Sequence, residues 1–263
     1  MISPLAHIHP KAVLGKDVKI DAFAFVDEDV TIGDGTWLAA NTVIYSGTSI
    51  GKNCKIYPGA VIGADPQDLK YVGEKTKAIV GDNVLIRECV TINKGTKAYG
   101  KTVVEDNSML MAYVHIAHDC HVMDHCIIAN AVNLAGHVIL GSHVSIGGMT
   151  AIQQFVNIGA HTYITGGSLV RKNVPPYVKA AREPLSYVGV NRIGLERRGF
   201  SADAINRIQD IYRVLFIKGW SMSKALDHID KAIPGSPEKK HILDFINKSE
   251  KGLMRGFNSL IGD

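Results

Sequence analysis

Aromatic residues, cysteines and long apolar runs are all scarce in this sequence. Aromatic side chains make up only 7% of the 263 residues, which favours a core of small and branched aliphatic side chains. No apolar run approaches the ~18 residues of a membrane-spanning helix, and no basic leader with an apolar stretch opens the chain. We therefore expect a cytoplasmic protein without stable membrane insertion.

Cysteine and charge exclude further classes. The four cysteines have no CxxC spacing, and without a secretory signal they are expected to be reduced thiols. The net charge is +4, with no block of Lys and Arg, so nucleic acid is not an expected partner. A mildly basic chain suits acidic partners or phosphorylated substrates.

Glycine is abundant, and it follows a repeat. Many of the 26 glycines come directly after a branched aliphatic marker that recurs at every sixth position. The strand period of two divides six, whereas the helical period does not, so each marker can point inward from a short strand. The markers are Ile8, Leu14, Ile20, Val26, Ile32, Leu38, Ile44, Ile50, Ile56, Ile62, Val80, Ile86, Ile92, Val104, Leu110, Ile116, Val122, Ile128, Leu134, Leu140, Ile146, Ile152, Ile158, Ile164 and Val170.

This repeat resembles that of the hexapeptide acyltransferases. The resemblance implies that three hexapeptides close one coil, that coils stack roughly 4.8 Å apart, and that the coil is left-handed. We therefore predict a mainly β protein, with a left-handed parallel β-helix of hexapeptide repeats over 1–178 and loops at 63–79 and 94–103. The first loop is expected to carry function, because it clusters Gln67, Asp68 and Lys70 beside a proline.

Helical periodicity replaces the repeat after Val174-Pro175-Pro176. Ser201 is the predicted N-cap of a helix that Gly219 stops, and Ser221 or Ser223 begins a second helix. Ser236 opens a third. We predict a small α-helical C-terminal domain over 179–263, which covers the open edge of the last coil.

Histidines concentrate in the later coils and admit three interpretations. His125, His143 and His161 are spaced by three hexapeptides, so they are predicted to stack at one solvated corner, where they need no special role. A zinc site, as in hexapeptide-repeat carbonic anhydrases, is the second interpretation. A ladder that spans roughly 9–10 Å fits poorly around one ion with nitrogens about 2.0–2.1 Å away, although sets such as His115, His118 and His137 stay open.

Acid–base catalysis is the third interpretation. His118 is followed by Asp119, and Gly136 is expected to stack above His118 one coil later. Acyl transfer to a hydroxyl needs a base, which histidine can supply, and donors for the oxyanion, which a glycine N–H can supply. The carboxylate could orient the imidazole and stabilise its charged form.

Several short motifs go beyond the repeat. They are Pro66–Tyr71, His115–Cys120, Leu134–His137, Ile146–Ala151, Val174–Val178 and Arg197–Phe200. Together they resemble the UDP-N-acetylglucosamine O-acyltransferases, which act first in lipid A biosynthesis, over essentially the whole chain. The repeat alone is typical of many acetyltransferases, whereas the loop motif, the histidine pair and the Arg-Arg-Gly-Phe segment are much narrower.

The resemblance implies an activity, partners and residue roles. It implies a homotrimer with sites between subunits, which transfers a 3-hydroxyacyl chain from acyl carrier protein to the 3-position of UDP-N-acetylglucosamine. No metal or cofactor is expected, since phosphopantetheine arrives on the carrier protein. The implied catalytic residues are His118, Asp119 and Gly136, and the implied substrate-binding residues are Gln67, Asp68, Lys70, His115, His137, Gln154, Asn191, Arg197 and Arg198. Gly166 matches the position that limits acyl-chain length, where it offers no plug, so a long chain is expected.

Two positions depart from the family pattern and leave the acceptor open. Gln153 stands where the family usually has His, and Ile193 stands where it usually has Glu. The acceptor could therefore be the 3-amino analogue of the sugar nucleotide. A zinc carbonic-anhydrase-like enzyme and a non-catalytic solenoid scaffold are the alternatives from other classes.

Overall fold

The structure is a computed structural model that describes residues 1–256. Residues 257–263, the end of the predicted helical domain, lie outside the described part. Among residues 1–256, no helix is both long enough and apolar enough to cross a bilayer.

Short strands build three flat faces. In chain order they are β1 (His7–Ile8), β2 (Val13–Leu14), β3 (Lys19–Ile20), β4 (Phe25–Val26), β5 (Thr31–Ile32), β6 (Trp37–Leu38), β7 (Val43–Ile44), β8 (Thr48–Ile50), β9 (Lys55–Ile56), β10 (Val61–Ala64), β11 (Lys77–Val80), β12 (Leu85–Ile86), β13 (Thr91–Asn93), β14 (Lys101–Val104), β15 (Met109–Leu110), β16 (His115–Ile116), β17 (His121–Val122), β18 (Ile127–Ile128), β19 (Asn133–Leu134), β20 (Ile139–Leu140), β21 (Ser145–Ile146), β22 (Ala151–Ile152), β23 (Asn157–Ile158), β24 (Tyr163–Ile164), β25 (Leu169–Val170), β26 (Val178–Ala181), β27 (Ser186–Val190) and β28 (Arg255–Gly256).

Each turn of the chain contributes one strand to each face. The first sheet takes every third strand from β1 to β25, the second takes every third strand from β2 to β23, and the third runs from β3 to β24 in the same way and ends with β26, β27 and β28. Neighbours are parallel except for the antiparallel pair β26–β27. This is the predicted three-sided parallel β-helix, and its left-handed sense stays a prediction from the resemblance.

The markers form the apolar column inside the coil. Leu38 pairs in register with Ile56, which in turn pairs with Ile86, and all three are fully buried. Cys120 and Cys126 fill the neighbouring small-residue slots as buried free thiols. Burial raises the pKa of both thiols to about 12, so they stay protonated and serve to fill the core.

Most coil corners place one residue in the left-handed backbone region. The φ angle is 54° at Asn53, 57° at His125 and 66° at Phe155. This conformation costs roughly 1–2 kcal/mol for a residue with a Cβ. The coil compensates by pairing corner amides with the previous turn, as in His125 N–H to the Asp106 carbonyl at 2.9 Å. Corners can therefore present large side chains of many kinds, including those of the candidate site.

Glycines after the markers allow the coils to stack closely. A Cβ on Gly33 would lie 2.6 Å from the carbonyl carbon of Gly51, and a Cβ on Gly51 would lie 2.6 Å from that of Gly81. Any other residue would force these turns apart. Part of the high glycine content follows from this contact between layers.

Two loops leave the coil close to each other. Residues 65–76 connect β10 with β11, and residues 94–100 connect β13 with β14. Both lie within the predicted interruptions. Glu74 of the first loop accepts a hydrogen bond from the Lys97 N–H of the second at 3.0 Å, and Lys94 pairs with Asp65 at 2.7 Å.

Four helices follow the coil: α1 (Arg192–Arg197), α2 (Ala202–Phe216), α3 (Met222–Ala232) and α4 (Pro237–Asn247). Ser201, Ser221 and Ser236 cap the last three, each accepting a bond from an N–H three residues on. The short α1 was not predicted, and α2 ends at Phe216, before the predicted stop at Gly219. The predicted domain boundary falls at the start of β26, a strand that still extends the third sheet.

Candidate active site

His118 and Asp119 form a buried pair at one corner of the coil. His118 is 6% exposed and Asp119 is 3% exposed. Nδ1 of His118 lies 2.9 Å from Oδ2 of Asp119. An ionised carboxylate can only accept at this contact, so the proton of a neutral His118 is assigned to Nδ1. Nε2 then presents a lone pair that can take a proton from a substrate.

The second loop surrounds the Asp119 carboxylate with donors. The Thr96 N–H donates to Oδ1 at 3.0 Å, and the Thr96 hydroxyl donates to Oδ2 at 2.6 Å. The Tyr99 N–H lies 3.3 Å from Oδ1, and the Asp119 N–H donates to Thr102 Oγ1 at 2.8 Å. Sequence reasoning did not find these residues, although the break in the repeat over 94–103 marks their loop.

Gly136 lies directly against the His118 ring, as predicted. A Cβ at residue 136 would fall 2.5 Å from Cε1 and 2.6 Å from Nε2 of His118. Only glycine leaves room for the imidazole. Within residues 1–256, the Gly136 N–H makes no backbone hydrogen bond, so it is available to a bound group.

Two further histidines border this corner. His137 packs edge-on against His118 at 5.1 Å and stacks on Phe155 at 4.5 Å. Its Nδ1 is buried and has no partner among the described residues, and burial lowers the pKa of His137 despite the opposing effect of Asp119. His115 bonds through Nδ1 to Thr91 Oγ1 at 2.7 Å, and burial, followed by the His118 charge, lowers its pKa. Both are neutral at pH 7 and can bond to a polar ligand.

The first loop brings one of its three predicted residues close to His118. Asp68 Oδ2 lies 3.9 Å from His118 Nε2, so a hydroxyl placed beside the pair can reach both atoms at hydrogen-bond distance. Asp68 also accepts the Lys70 N–H at 2.9 Å, which shapes the turn. The Gln67 and Lys70 side chains are exposed.

The predicted anion-binding residues lie at a different corner. Arg198 is close enough to His143 and His161 to lower the pKa of both imidazoles, although burial is the larger cause for each. Asn191 donates from Nδ2 to the His161 carbonyl at 2.8 Å, and Arg197 is exposed. The strand β17 and its continuation separate the Asp119 and His125 corners by six residues, which corresponds to roughly 15–20 Å. One chain therefore does not bring Arg198 and His118 together.

Comparisons with known proteins identify the family. The family model described as Udp N-acetylglucosamine O-acyltransferase, Domain 2, matches residues 173–254, and the bacterial transferase hexapeptide model matches residues 29–64 and 101–136. The acyl-[acyl-carrier-protein]--UDP-N-acetylglucosamine O-acyltransferase of Thermodesulfovibrio yellowstonii is 42% identical over 97% of this chain and 99% of that protein. The chain belongs to the UDP-N-acetylglucosamine O-acyltransferase family.

Solved structures of the family share the fold over nearly the full length. The enzyme from Bacteroides fragilis 9343 is 46% identical, with a TM-score of 0.95 over 97% of this chain and all of that chain. The enzyme from Acinetobacter baumannii is 40% identical, with a TM-score of 0.93 over 97% of this chain and 99% of that chain. The protein is an acyltransferase of this family.

Two clusters of this acyltransferase could in principle hold a metal. In the described part of the chain, ligand atoms of His118, Asp119 and His137, and those of Asp124, His125 and His143, lie within 4.8 Å of one another. The first set is already joined by the His118–Asp119 bond. The second set lies near the Arg198 guanidinium, whose charge opposes a divalent cation. The geometry therefore favours acid–base chemistry over metal chemistry.

The predicted column of histidines is present, but it is less solvated than expected. His125, His143 and His161 stack with centroid distances of 4.7 and 4.8 Å. His161 also stacks on Tyr177 at 5.5 Å and meets Phe200 edge-on. These aromatic side chains follow the last repeat, so they cover the top of the column.

Gln154 lies one coil beyond Gly136 at the His118 corner, where the Phe155 N–H donates to the Gly136 carbonyl at 3.2 Å, and it is partly buried. Gln153 and Ile193, which depart from the family pattern, are exposed. Gly166 lies at the opposite edge of the first face from the His118 corner. Its neighbour there is Gly148, whose carbonyl oxygen would be 3.0 Å from a Cβ at residue 166. A cavity of about 880 Å³ lies elsewhere, beside Arg182, Trp220 and Met254, and it contains none of these residues.

Proposed function

We propose that the protein transfers a 3-hydroxyacyl chain from acyl carrier protein to the 3-hydroxyl of UDP-N-acetylglucosamine, the first step of lipid A biosynthesis. The observation that carries the proposal is the His118–Asp119 pair beneath Gly136. Nδ1 of His118 is bonded to a buried carboxylate, its Nε2 faces Asp68, and the Gly136 N–H has no backbone partner among residues 1–256. A base and an oxyanion donor thus lie within reach of one carbonyl.

The geometry supports one sequence of steps. Nε2 of His118 takes the proton of the sugar hydroxyl as the hydroxyl oxygen attacks the thioester carbonyl carbon. The Gly136 N–H donates to the carbonyl oxygen as it becomes an oxyanion, while Asp119 stabilises the imidazolium. The intermediate then collapses, the C–S bond breaks, and the thiolate of the carrier's phosphopantetheine takes the proton from Nε2.

Substrate contacts divide between the two corners. Near His118, we propose that Asp68, Gln67, Lys70, His115, His137 and Gln154 contact the sugar and the acyl carbonyl. Arg198 carries a buried Nη1 without a partner among the described residues, which suits a phosphate group, and Asn191 and Arg197 lie beside it. Since one chain holds these corners apart, we propose a homotrimer in which each site lies between two subunits.

The acyl chain is proposed to be long. Gly166 lies across the first face and about three coil layers from the His118 corner, roughly 14 Å along the coil axis. Its lack of a side chain leaves that end of the face open. The basic side chains of Arg171, Lys172, Lys179 and Arg182 near the last coils suit an acidic carrier protein.

An acyl-transfer assay tests the proposal. Purified protein is incubated with UDP-N-acetylglucosamine, or its 3-amino analogue, and a panel of 3-hydroxyacyl carrier proteins of different chain lengths. We expect transfer to the hydroxyl acceptor, and we expect His118→Ala to lose about 10²- to 10⁴-fold in kcat with an unchanged melting temperature. A near wild-type rate for His118→Ala would remove the proposed base, preference for the amino sugar would correct the acceptor, and stoichiometric zinc with CO₂ hydration would favour the carbonic-anhydrase alternative.

A further inference from the structure

The Asp119 carboxylate is held mainly from outside its own coil. Thr96 supplies two of its donors and Tyr99 supplies a third, and both residues belong to the 94–100 loop. The shortest contact, 2.6 Å, joins the Thr96 hydroxyl to Oδ2, the same oxygen that faces His118 Nδ1 at 2.9 Å. One oxygen therefore connects the loop hydroxyl to the proposed base.

We propose that Thr96 is a positioning residue that acts on catalysis through Asp119, by fixing the orientation and the charge distribution of the His118–Asp119 pair. The inference rests on the proposed function, because it takes His118 as the base. Thr96 itself touches neither substrate nor reacting atoms in this proposal.

Thr96 fixes the orientation of the Asp119 side chain at its corner. Asp119 occupies a left-handed corner with φ at 59°, and its side chain could rotate away from His118 without external contacts. The Thr96 N–H and hydroxyl bind one carboxylate oxygen each, so rotation would break both bonds. The Asp119 side chain is fully buried, where an unpaired carboxylate is costly.

Thr96 also affects how the Asp119 charge acts on the imidazole. A hydroxyl that donates to Oδ2 draws negative charge away from the side facing Nδ1. Removing that hydroxyl concentrates the charge toward His118 and favours the protonated ring. The base would then be free only at higher pH, so the acid limb of the pH–rate profile should move upward.

The loop that carries Thr96 is itself anchored to the loop that carries Asp68. Glu74 accepts the Lys97 N–H at 3.0 Å and the Val72 N–H at 3.0 Å. Thr76 donates its hydroxyl to the Gly95 carbonyl. The 94–100 loop is thus braced on both sides of Thr96, which explains how a loop can hold a catalytic pair rigidly.

The test compares Thr96→Val with Thr96→Ser. Valine keeps the shape and the backbone N–H but removes the hydroxyl, whereas serine keeps the hydroxyl. We expect Thr96→Val to lower kcat about 10- to 100-fold, to change KM by less than about threefold and to move the acid limb to higher pH. Thr96→Ser should restore the wild-type profile and most of kcat.

Thr42→Val is the matched control. Thr42 is a fully buried threonine whose hydroxyl donates to the Ala39 carbonyl at 2.9 Å, far from the site. It should lower the melting temperature as much as Thr96→Val does, with no change in kcat or pH profile. Equal kcat for Thr96→Val and wild type, or equal losses for Thr96→Val and Thr96→Ser, would overturn the proposal.

A second measurement separates this proposal from the proposed function. The His118 Nδ1–H that bonds to Asp119 should give a downfield ¹H NMR signal, whose shift or intensity Thr96→Val changes and Thr96→Ser preserves. The positioning role stands on this signal even if wild-type protein fails to transfer acyl chains, an outcome that would defeat the proposed function alone. An unaltered signal in Thr96→Val would defeat the positioning role.

Discussion

At the scale of single residues, Gly136 is required by the imidazole beside it. Most coil glycines serve the contact between backbone layers, as Gly33 and Gly51 do, but a Cβ at residue 136 would meet the His118 ring. Substitution here should therefore displace the base while leaving the coil layers in place.

We expect Gly136→Ala to lower kcat at least about 100-fold, since a displacement of about 1 Å at the reacting groups has that effect. Steady-state kinetics with the acyl carrier substrate and thermal unfolding would measure the two consequences. Gly235→Ala is the control, because a Cβ there meets no atom within 4 Å. A Gly136→Ala variant with near wild-type kcat would show that the ring need not occupy its present position.

The sequence could predict His118, Asp119 and Gly136 together because all three follow the register of the repeat. One coil separates His118 from Gly136, so their contact follows from periodicity. Thr96 could not be placed in this way, because it lies where the period is broken and its contact with Asp119 depends on the path of a loop.

At the scale of elements, the stacked histidine corner joins the coil to the helical domain. Burial lowers the pKa of His161 to about 4, with smaller contributions from the charges of His143, Arg198 and His241 and an opposing one from Asp124. His161 is therefore neutral in the folded protein across most of the range in which an unfolded histidine is charged.

This shift makes stability depend on pH. In the unfolded chain this histidine binds a proton below about pH 6.5, whereas in the folded protein it stays neutral down to about pH 4. Its contribution to the free energy of unfolding is therefore fully present above about pH 6.5 and is lost as the pH decreases toward 4. The free energy of unfolding should drop by about 1–3 kcal/mol over this window, with allowance for partial solvent exposure.

We expect His161→Phe to reduce this acid sensitivity. Phenylalanine is accepted at the equivalent corner of Phe155 and can stack on Tyr177 as His161 does. Melting temperatures of both proteins between pH 8 and pH 4.5 provide the measurement. They should agree at pH 8, where the histidine is neutral in both states, and diverge below pH 6. Parallel curves would assign the acid sensitivity to other groups.

Helix positions were predictable where capping chemistry marks them, and not elsewhere. Ser201, Ser221 and Ser236 cap α2, α3 and α4. The six residues of α1 are too short for a helical pattern to emerge, and the side chain of its N-cap, Asn191, makes no capping bond. Asn191 instead bonds to the His161 carbonyl, a contact between distant segments that no local pattern indicates.

At the scale of the whole molecule, the two halves of the proposed site lie on different corners of one prism. The repeat predicts which of its own residues share a corner, but Arg198 follows the repeat, and the structure is what places it beside His143 and His161. The repeat does not predict how neighbouring prisms pack, because that depends on outward-facing side chains that the period leaves free to vary. The proposed site between subunits rests on combining the separated corners with a substrate that must reach both.

This arrangement predicts complementation between two inactive variants. In a trimer whose sites each combine His118 of one subunit with Arg198 of its neighbour, His118→Ala and Arg198→Ala each damage every site of their own homotrimers. Random mixed trimers from equal amounts of both variants should contain about one intact site in four, since each required residue is present with a probability of about one half. The mixed trimers are obtained by co-expression, purified and tested in the acyl-transfer assay. They should show roughly a quarter of wild-type activity, whereas each mutant homotrimer should show almost none.

The control mixes the two purified homotrimers without subunit exchange, and this mixture should recover no activity. If every site used residues of a single subunit, each subunit of the mixed trimers would still carry one lesion, and co-expression would restore nothing.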